Sequence, residues 1–379
     1  MIAFFLGSHP EVSLAELRLM FGVKESSRLM GVAMFELDTM LVQNSFFKLG
    51  GVPRWGEVIA ELDKNDNLEN HIISAFKKQL KEATKKEYIF SLYGVKLDKK
   101  RLHHDLKDEL PGSKYDGRFD EALHAPAVSE HVLKRGGQEF SAISSGNTVY
   151  IIKTIQVQDA QFWSITDAER PARDMKIGLL PAKLARMMIN LSGAQATGKI
   201  WDPFVGQATI AMQAAVLGIP VLGTDKSPES IAKAKQNMQW LIRNGLVSQA
   251  KHTLYVEAIE RSKADRTVTA VVTEPYLGKP RYRPFGNEFL AKREWREISR
   301  LYGTLLQVAS GILHKGQCLV FIKPTFSFLA EHGGEWYNPP LPMSGEAWKV
   351  PEFLVDLGPL LWLQRDSIIG REIVVLEKR

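Results

Sequence analysis

The stretch Trp201-Asp-Pro-Phe-Val-Gly206-Gln-Ala-Thr209 decides which fold the sequence predicts. An apolar segment at 199–203 predicts a strand before this loop, and residues 209–216 predict a helix after it. Gly206 permits a tight turn between the two and lets a ligand approach the backbone. The loop lacks the full glycine fingerprint of dinucleotide-binding proteins, and nothing in it resembles a phosphate-cradling loop.

Helices and short apolar strands alternate on both sides of this loop. Because helical segments separate the strands, the pattern predicts a doubly wound, largely parallel α/β sheet. The tail at 360–378 predicts an antiparallel hairpin after it. The predicted helices are 180–191, 209–216, 227–244 and 287–314, and the predicted strands are 199–203, 221–224, 253–256, 270–272 and 318–322.

The first 160 residues have a different rhythm and predict two small α+β modules, 1–70 and 71–160. Ser13-Leu-Ala-Glu16 is a capping box that opens a helix after an initial strand. Ser145-Gly146-Asn147 lies between two strand-like runs and predicts a hairpin. With 161–379 as the α/β domain, the 379 residues divide into three domains, which suits the length of the chain.

Carboxylates follow three successive predicted strands of the α/β domain. Asp202 lies in the quoted loop, Asp225 comes nineteen residues after Gly206, and Glu257 ends the next strand. Because open α/β sheets bind ligands at the carboxyl ends of their strands, we expect a nucleoside cofactor there, with ribose hydroxyls donating to Asp225. An acidic site suits a cationic nucleoside better than a pyrophosphate, so S-adenosylmethionine fits and NAD fits less well. For each acid taken alone, the competing interpretation is helix capping or solvation.

The fourth strand leads into Val272-Thr-Glu274-Pro275-Tyr276. Methyl transfer to an exocyclic base nitrogen needs an acceptor for the amino N–H and a flat surface that holds the base. Glu274, the Pro275 carbonyl and the Tyr276 ring can supply these groups. The competing interpretation is a strand-end turn in which Pro provides rigidity and Tyr packs.

Basic residues outnumber acidic ones, 49 to 43, and they cluster in two segments, 77–101 and 279–300. Basic groups interleaved with aromatic ones contact phosphates and stack on unpaired bases. For 288–300 we favour a solvated helix face, with Phe289 and Trp295 in the core. The residues predicted to contact RNA are Lys85, Lys86, Lys279, Arg281 and Arg283.

Several classes of protein are disfavoured. The single cysteine, Cys318, forms no intramolecular disulfide and fits a reducing cytoplasm. No His-Glu-x-x-His pattern indicates zinc, so no metal is expected. No apolar run approaches about 18 residues, so no membrane partner is expected.

These residues resemble a known family, the THUMP-domain guanosine-N2 tRNA methyltransferases, within the Rossmann-fold amino-methyltransferases. Asp202-Pro-Phe-Val-Gly206-Gln-Ala-Thr209 resembles the family's cofactor loop. Arg170-Pro-Ala-Arg-Asp174 with Gly178-Leu-Leu-Pro-Ala-Lys-Leu-Ala185 resembles its lead-in helix, which borders the cofactor. Phe5-Leu-Gly-Ser-His-Pro-Glu-Val-Ser-Leu-Ala-Glu-Leu17 and Gly370-Arg-Glu-Ile-Val374 are similar to its two ends. Two positions depart from the family: Ala208 replaces the second glycine, and Thr273-Glu274-Pro275-Tyr276 stands where the family has (Asp/Asn)-Pro-Pro-Tyr.

The resemblance implies a ferredoxin-like domain over 1–70, a THUMP RNA-binding domain over 71–160 and a Rossmann-like catalytic domain over 161–379. We expect S-adenosylmethionine along Asp202, Phe204 and Gly206, with Glu257 near its adenine. The expected reaction is methylation of a guanosine N2 in RNA, with tRNA favoured, and either Glu274 or Thr273 takes the position of the family's acid. Two alternatives stay open: an amino-methyltransferase acting on rRNA or DNA, and an RNA-binding protein with a degenerate catalytic site. Whether an activating subunit is needed also stays open.

Overall fold

The structure, a computed structural model, describes residues 1–29, 31–64, 67–81, 87–109, 114–115, 126–173, 179–262, 264, 266–331, 333–342, 346–364 and 367–379. The strands are β1 (Ile2–Phe5), β2 (Ser27–Leu29), β3 (Val32–Phe35), β4 (Arg54–Asp63), β5 (Glu87–Tyr93), β6 (Lys114–Tyr115), β7 (Gln138–Ser145), β8 (Thr148–Val157), β9 (Ile200–Asp202), β10 (Val221–Asp225), β11 (His252–Val256), β12 (Ala270–Thr273), β13 (Cys318–Ala330), β14 (Gly333–Tyr337), β15 (Trp348–Lys349), β16 (Leu360–Trp362) and β17 (Ile369–Lys378). The helices are α1 (Pro10–Phe21), α2 (Thr39–Ser45), α3 (Leu68–Lys81), α4 (Lys99–Glu109), α5 (Pro126–Lys134), α6 (Ala160–Ser164), α7 (Ala182–Leu191), α8 (Thr209–Val216), α9 (Pro228–Arg243) and α10 (Glu288–Ile312). Among these helices, none is both long and apolar enough to cross a membrane.

The chain divides into two compact units, and each is made of several segments. The first unit comprises Met1–Pro10, Val23–Phe47 and Val52–Phe162. The second comprises Glu11–Gly22, Lys48–Gly51 and Trp163–Arg379.

One eight-stranded sheet runs through the first unit, in the order β2-β3-β1-β4-β8-β7-β5-β6. The pair β4 and β8 is antiparallel, so strands from both sides of residue 70 share this sheet. On helix α3 the buried residues are Ile72, Ile73, Phe76 and Leu80, at the spacing of one helix face. Phe76 stacks on Phe140 of β7 with ring centroids 4.6 Å apart, which holds the helix against the sheet.

The second unit contains the predicted α/β sheet, in the order β11-β10-β9-β12-β13-β17-β15. Strands β9 to β13 pair in parallel, and β17 pairs antiparallel with both β13 and β16. The doubly wound sheet and the closing hairpin are therefore confirmed. The strand order reverses between β9 and β12, and the ends of those strands are where such sheets bind ligands.

Alternate residues of the central strands lie in two different hydrophobic clusters, one on each face of the sheet. Ile200, Ala270 and Val272 share one cluster with residues of α7, α8 and α9. Trp201 and Val271 belong to the other, together with residues of α10. Both faces of the sheet are covered, which explains why its strands read as continuous apolar runs.

Helix α1 packs in the second unit, where Val12 and Ala15 join the cluster of α7 and α8. Glu16 is fully buried and accepts hydrogen bonds from the Gly50 N–H (2.8 Å), the Gly51 N–H (2.8 Å) and Asn190 Nδ2 (2.6 Å). Burial raises the pKa of Glu16, and the three hydrogen bonds oppose that rise. The network fixes residues 48–51 against α1 and α7.

Candidate functional site

Four acidic residues lie at the carboxyl ends of strands β9 to β12, along one edge of the parallel sheet. Asp202 ends β9, Asp225 ends β10, and Glu257 and Glu274 come directly after β11 and β12. The Glu257 N–H donates to the Asp225 carbonyl (2.9 Å), so these two residues are held side by side. The structure thus brings the predicted carboxylates to one edge, around the position where the strand order reverses.

Two backbone N–H groups orient the Asp225 side chain. The Gly206 N–H donates to Asp225 Oδ2 (3.2 Å), and the Ser227 N–H donates to Oδ1 (2.8 Å). Gly206 has φ +48°, a left-handed conformation that glycine adopts without a steric penalty. A carboxylate has about four lone-pair positions, so Asp225 keeps acceptor capacity for ribose hydroxyls. Phe204, in the same loop, is partly buried.

Asp202 lies beneath the loop and connects two strands. Its Oδ1 accepts from Thr273 Oγ1 (2.6 Å) and from the Phe204 N–H (3.1 Å), and only 2% of the residue is exposed. Burial, with smaller contributions from the nearby charges of Asp225 and Glu274, raises the pKa of Asp202 to about 7. The side chain therefore ties β9 to β12 and exchanges its proton near neutral pH.

Ala208 departs from the family's glycine, yet it keeps a glycine-like backbone. Its φ is +68°, and no other non-glycine residue in the described part of the chain has a positive φ. A left-handed conformation costs an L-residue about 1–2 kcal/mol. The loop therefore makes a left-handed turn at the start of α8 in spite of the methyl group of Ala208.

The residues after β12 have distinct environments. The Thr273 side chain is fully buried, and its hydroxyl donates to Asp202. Glu274 is mostly buried, and its Oε1 accepts from Arg371 Nε (2.7 Å). Pro275 is buried, Tyr276 is half exposed, and the Tyr276 carbonyl accepts from the Tyr302 hydroxyl (3.2 Å).

Sequence reasoning missed Arg371 as a site residue. It belongs to Gly370-Arg-Glu-Ile-Val374, a segment that resembles one end of the family's sequence. Nothing in that resemblance indicated a contact with Glu274. Arg371 lies 97 residues after Glu274, and only the pairing of β17 with β13 brings the two together.

The basic loop Lys279–Arg283 is exposed and is held at both ends. The Lys279 N–H donates to Glu294 Oε1 (3.2 Å), and Phe285 exchanges backbone hydrogen bonds with Ser327 and Leu329 (2.9 Å each). The Arg281 guanidinium lies 3.9 Å from the centre of the Phe285 ring. Tyr282 is 95% exposed, so it projects from an anchored loop. Lys85 and Lys86 lie outside the described residues.

The position of Phe289 contradicts one expectation from the sequence. Trp295 is buried on α10 as predicted, but Phe289 is 62% exposed, so its assignment to the core was wrong. The buried face of α10 runs through Ala291, and two residues correspond to about 200° of helical rotation, which puts Phe289 on the opposite side. The Arg296 guanidinium lies 5.7 Å from the Phe289 ring centre on that exposed side.

Residues 170–332 match the family model described as "RMKL-like, methyltransferase domain". This part of the chain is therefore similar to a methyltransferase domain. The chain is 28% identical over 153 residues to a tRNA (guanine(10)-N2)-dimethyltransferase of Methanothermobacter thermautotrophicus, a match that covers 39% of this chain and 40% of that protein. A protein of the same name from Pyrococcus abyssi is 30% identical over 115 residues, covering 30% of this chain and 33% of that protein. The chain thus spans less than half the length of either relative.

The crystal structure of TrmN from Thermus thermophilus is similar in fold over the whole chain. The TM-score is 0.53 at 15% sequence identity, and the match covers 100% of this chain and 99% of that one. The predicted Rossmann-like fold is therefore confirmed. In the described part of the chain, His, Cys, Asp and Glu residues form no group of three that could hold a metal ion.

Proposed function

We propose that this protein uses S-adenosylmethionine to methylate the N2 amino group of a guanosine in RNA, with tRNA as the substrate. The observation that carries the proposal is the placement of Asp225 and Glu257 beside the loop of Gly206, next to the strand end that holds Glu274, Pro275 and Tyr276. The names of the two relatives support guanine N2 as the target and tRNA as the substrate. The proposal keeps 71–160 as the THUMP RNA-binding domain and the cytoplasm as the compartment.

The chemistry of the donor set fits the cofactor. Asp225 is oriented by two N–H groups and keeps lone pairs for ribose hydroxyls. Asp225 and Glu257 add negative charge to this edge of the sheet, which suits a sulfonium cation. When bound, the cofactor supplies a methyl group that its sulfonium already activates, so the protein's task is to bind and orient the target nitrogen.

Glu274 is the favoured acceptor for the guanine amino group, because the Thr273 hydroxyl is buried and donates to Asp202. Arg371 donates a hydrogen bond to Oε1 of Glu274, and Oε2 has no hydrogen-bond partner among the described residues. In the proposal Oε2 accepts one amino proton, which aims the nitrogen lone pair at the methyl group, and takes the proton that the nitrogen loses on transfer. The half-exposed Tyr276 ring stacks on the base.

The anchored loop Lys279–Arg283 lies a few residues after Tyr276 and supports RNA as the substrate. Its three basic side chains are exposed for phosphate contacts, and Tyr282 offers a ring to an unpaired base. An ordered loop loses little conformational entropy when RNA binds, which favours affinity.

The test is methyl transfer from labelled S-adenosylmethionine to purified tRNA, rRNA and DNA, with the product nucleoside identified by mass spectrometry. We expect N2-methylguanosine in tRNA and loss of transfer in Asp225→Ala. Glu229→Gln is the control, because this exposed acid in the first turn of α9 pairs with Lys233 and lies outside the site. Methylation of rRNA or DNA alone would show that tRNA is not the substrate. RNA binding without methyl transfer would indicate a degenerate catalytic site.

A further inference from the structure

Four basic side chains and one aromatic side chain form a row along the outer face of α10. At about 100° of rotation per residue, all five lie within about 60° of one line on the helix. The buried residues of the helix, such as Ala291, Trp295 and Tyr302, lie on the opposite side. The five exposed residues, which we call the α10 stripe, are Phe289, Lys292, Arg293, Arg296 and Arg300.

Most of the positive charge of the α10 stripe is not neutralised. Lys292 pairs with Glu288 (Nζ to Oε2, 2.8 Å), whereas the three arginines form no ion pair with any residue that the structure describes. Lys292, Arg296 and Arg300 follow one another at intervals of four residues, and like charges at that spacing destabilise a helix. Helix stability therefore does not explain the stripe, but a polyanionic partner would remove the repulsion.

The charge lies in the half of α10 that is nearest the candidate site. From Gly303 to Ile312 the helix carries no charged residue, and its last turn has no cation, although the helix macrodipole favours cations there. The first half contacts the segment after β12. The Lys279 N–H donates to Glu294 (3.2 Å), and the Tyr302 hydroxyl donates to the Tyr276 carbonyl (3.2 Å). The position of the basic residues thus follows the site.

Phe289 gives the α10 stripe an aromatic surface. Its side chain is 62% exposed, and the Arg296 guanidinium lies 5.7 Å from its ring centre. On one flank, Lys292 Nζ lies 5.6 Å from the ring centre of Tyr337 on β14. Proteins that hold single-stranded RNA combine such rings, which stack on unpaired bases, with cations that contact the phosphates. Bases within a double helix are stacked on one another and leave no face for Phe289.

We propose that the α10 stripe binds an unpaired segment of the RNA substrate, with phosphates on its four cations and a base stacked on Phe289. The inference rests on the proposed function for the choice of RNA, and it adds a contact surface to the loop Lys279–Arg283. Because Glu294 of α10 holds the start of that loop, one strand that leaves Tyr276 can contact the loop and then the stripe. The stripe is about 16 Å long, which gives the strand several contacts in a row.

The first test measures binding of the full chain, without cofactor, to purified tRNA over a series of salt concentrations. Replacing Arg293, Arg296 and Arg300 together by glutamine removes three charges and keeps good helix formers. The slope of log K against log salt should fall by about two to three, and the affinity at about 0.1 M salt should fall about 100-fold. The control replaces three exposed basic residues on and after α9, which packs on the other face of the sheet: Lys235, Arg243 and Lys251. We expect the control to change the slope by less than one.

The second test separates stacking from charge. Phe289→Ala removes no charge, so the salt slope should stay at the wild-type value. Loss of one stacked base should weaken binding to a short single-stranded RNA by about 5- to 100-fold. The same RNA annealed to its complement is the matched control, and its affinity should not change.

Each outcome decides a different point. If the wild type binds no RNA, the proposed function fails before any variant is made. If the wild type binds RNA and the arginine variant behaves like the control variant, the α10 stripe is overturned as an RNA surface, while the proposed function stands. If Phe289→Ala weakens binding to single-stranded and duplex RNA equally, or to neither, an unpaired segment is overturned as the occupant of the stripe.

Discussion

At the scale of single residues, Asp202 is the group whose ionisation the fold alters most clearly in the site. An ordinary aspartate is charged well below neutral pH, but burial raises the pKa of Asp202 to about 7. The hydrogen bonds from Thr273 and Phe204 oppose burial without cancelling it. The fold thus stabilises the protonated form of the Asp202 side chain.

Asp202→Asn should therefore change how stability depends on pH. Between about pH 4 and pH 7 the folded protein holds a proton that the unfolded chain has lost, so its free energy of unfolding falls as pH rises, by at most about 1.4 kcal/mol per pH unit. Asparagine keeps an acceptor for Thr273 but does not titrate. We expect the variant to gain stability relative to wild type between pH 5 and pH 8, measured by urea unfolding. Parallel stability profiles for the two proteins would contradict this.

At the scale of elements, the end of β12 works together with β17. Arg371 on β17 holds Oε1 of Glu274, which leaves Oε2 for the substrate in the proposed reaction. The pair is mostly buried, so each partner depends on the other for charge compensation.

Arg371→Met should lower kcat for RNA methylation by up to about 100-fold, because a misplaced acceptor costs that much. The affinity for S-adenosylmethionine should stay close to wild type. Lys349→Met is the control. Lys349, on β15, pairs with Glu377, which lies on β17 six residues after Arg371. An unchanged kcat would show that Arg371 does not position Glu274.

The basic loop allows a test of RNA contact that does not depend on catalysis. Replacing Lys279, Arg281 and Arg283 together by alanine should weaken RNA binding and reduce the slope of log K against log salt by about one for each lost phosphate contact. The matched control replaces three exposed basic residues near the amino ends of β11, β12 and β13, Lys251, Arg266 and Lys315. Equal effects of the two triple variants would indicate a general loss of positive charge and no specific contact.

At the scale of the whole molecule, the chain contributes α1 and residues 48–51 to the second unit, although neighbouring segments belong to the first. The hydrogen bonds of Glu16 fix these pieces. Glu16→Ala would remove the carboxylate that accepts from three donors. Each buried donor that is left unsatisfied costs about 1–3 kcal/mol of folding stability.

We expect Glu16→Ala to lower the free energy of unfolding by more than about 3 kcal/mol. On the same helix, Ser13→Ala removes the hydrogen bond from Ser13 Oγ to the Gly51 carbonyl (2.7 Å) and should cost about 1 kcal/mol. Urea unfolding of the two variants compares them directly. Similar losses in both would mean that the Glu16 network does not hold this part of the chain together.

Local patterns predicted most of the second unit, because each strand and helix has its own periodicity and its own caps. Helix α8 was predicted at its observed bounds, and α9 begins at Pro228 after the Ser227 cap. Strand β13 was expected to end at 322 but continues to Ala330. Lys323 interrupts the apolar run there, and no local pattern could indicate that Glu372 pairs with this buried lysine (2.6 Å).

The sequence by itself determined the parallel sheet, the turn at Gly206 and the order of acids along its edge, because strand periodicity, turn chemistry and residue spacing are local properties. Only the tertiary structure decided the partners: Arg371 for Glu274, Thr273 for Asp202, and Arg170 for Thr209. Each of these contacts joins residues that are 39 to 97 positions apart. Burial and charge at such contacts arise only when distant segments pack together, so the groups that hold the site in place are visible only in the folded chain.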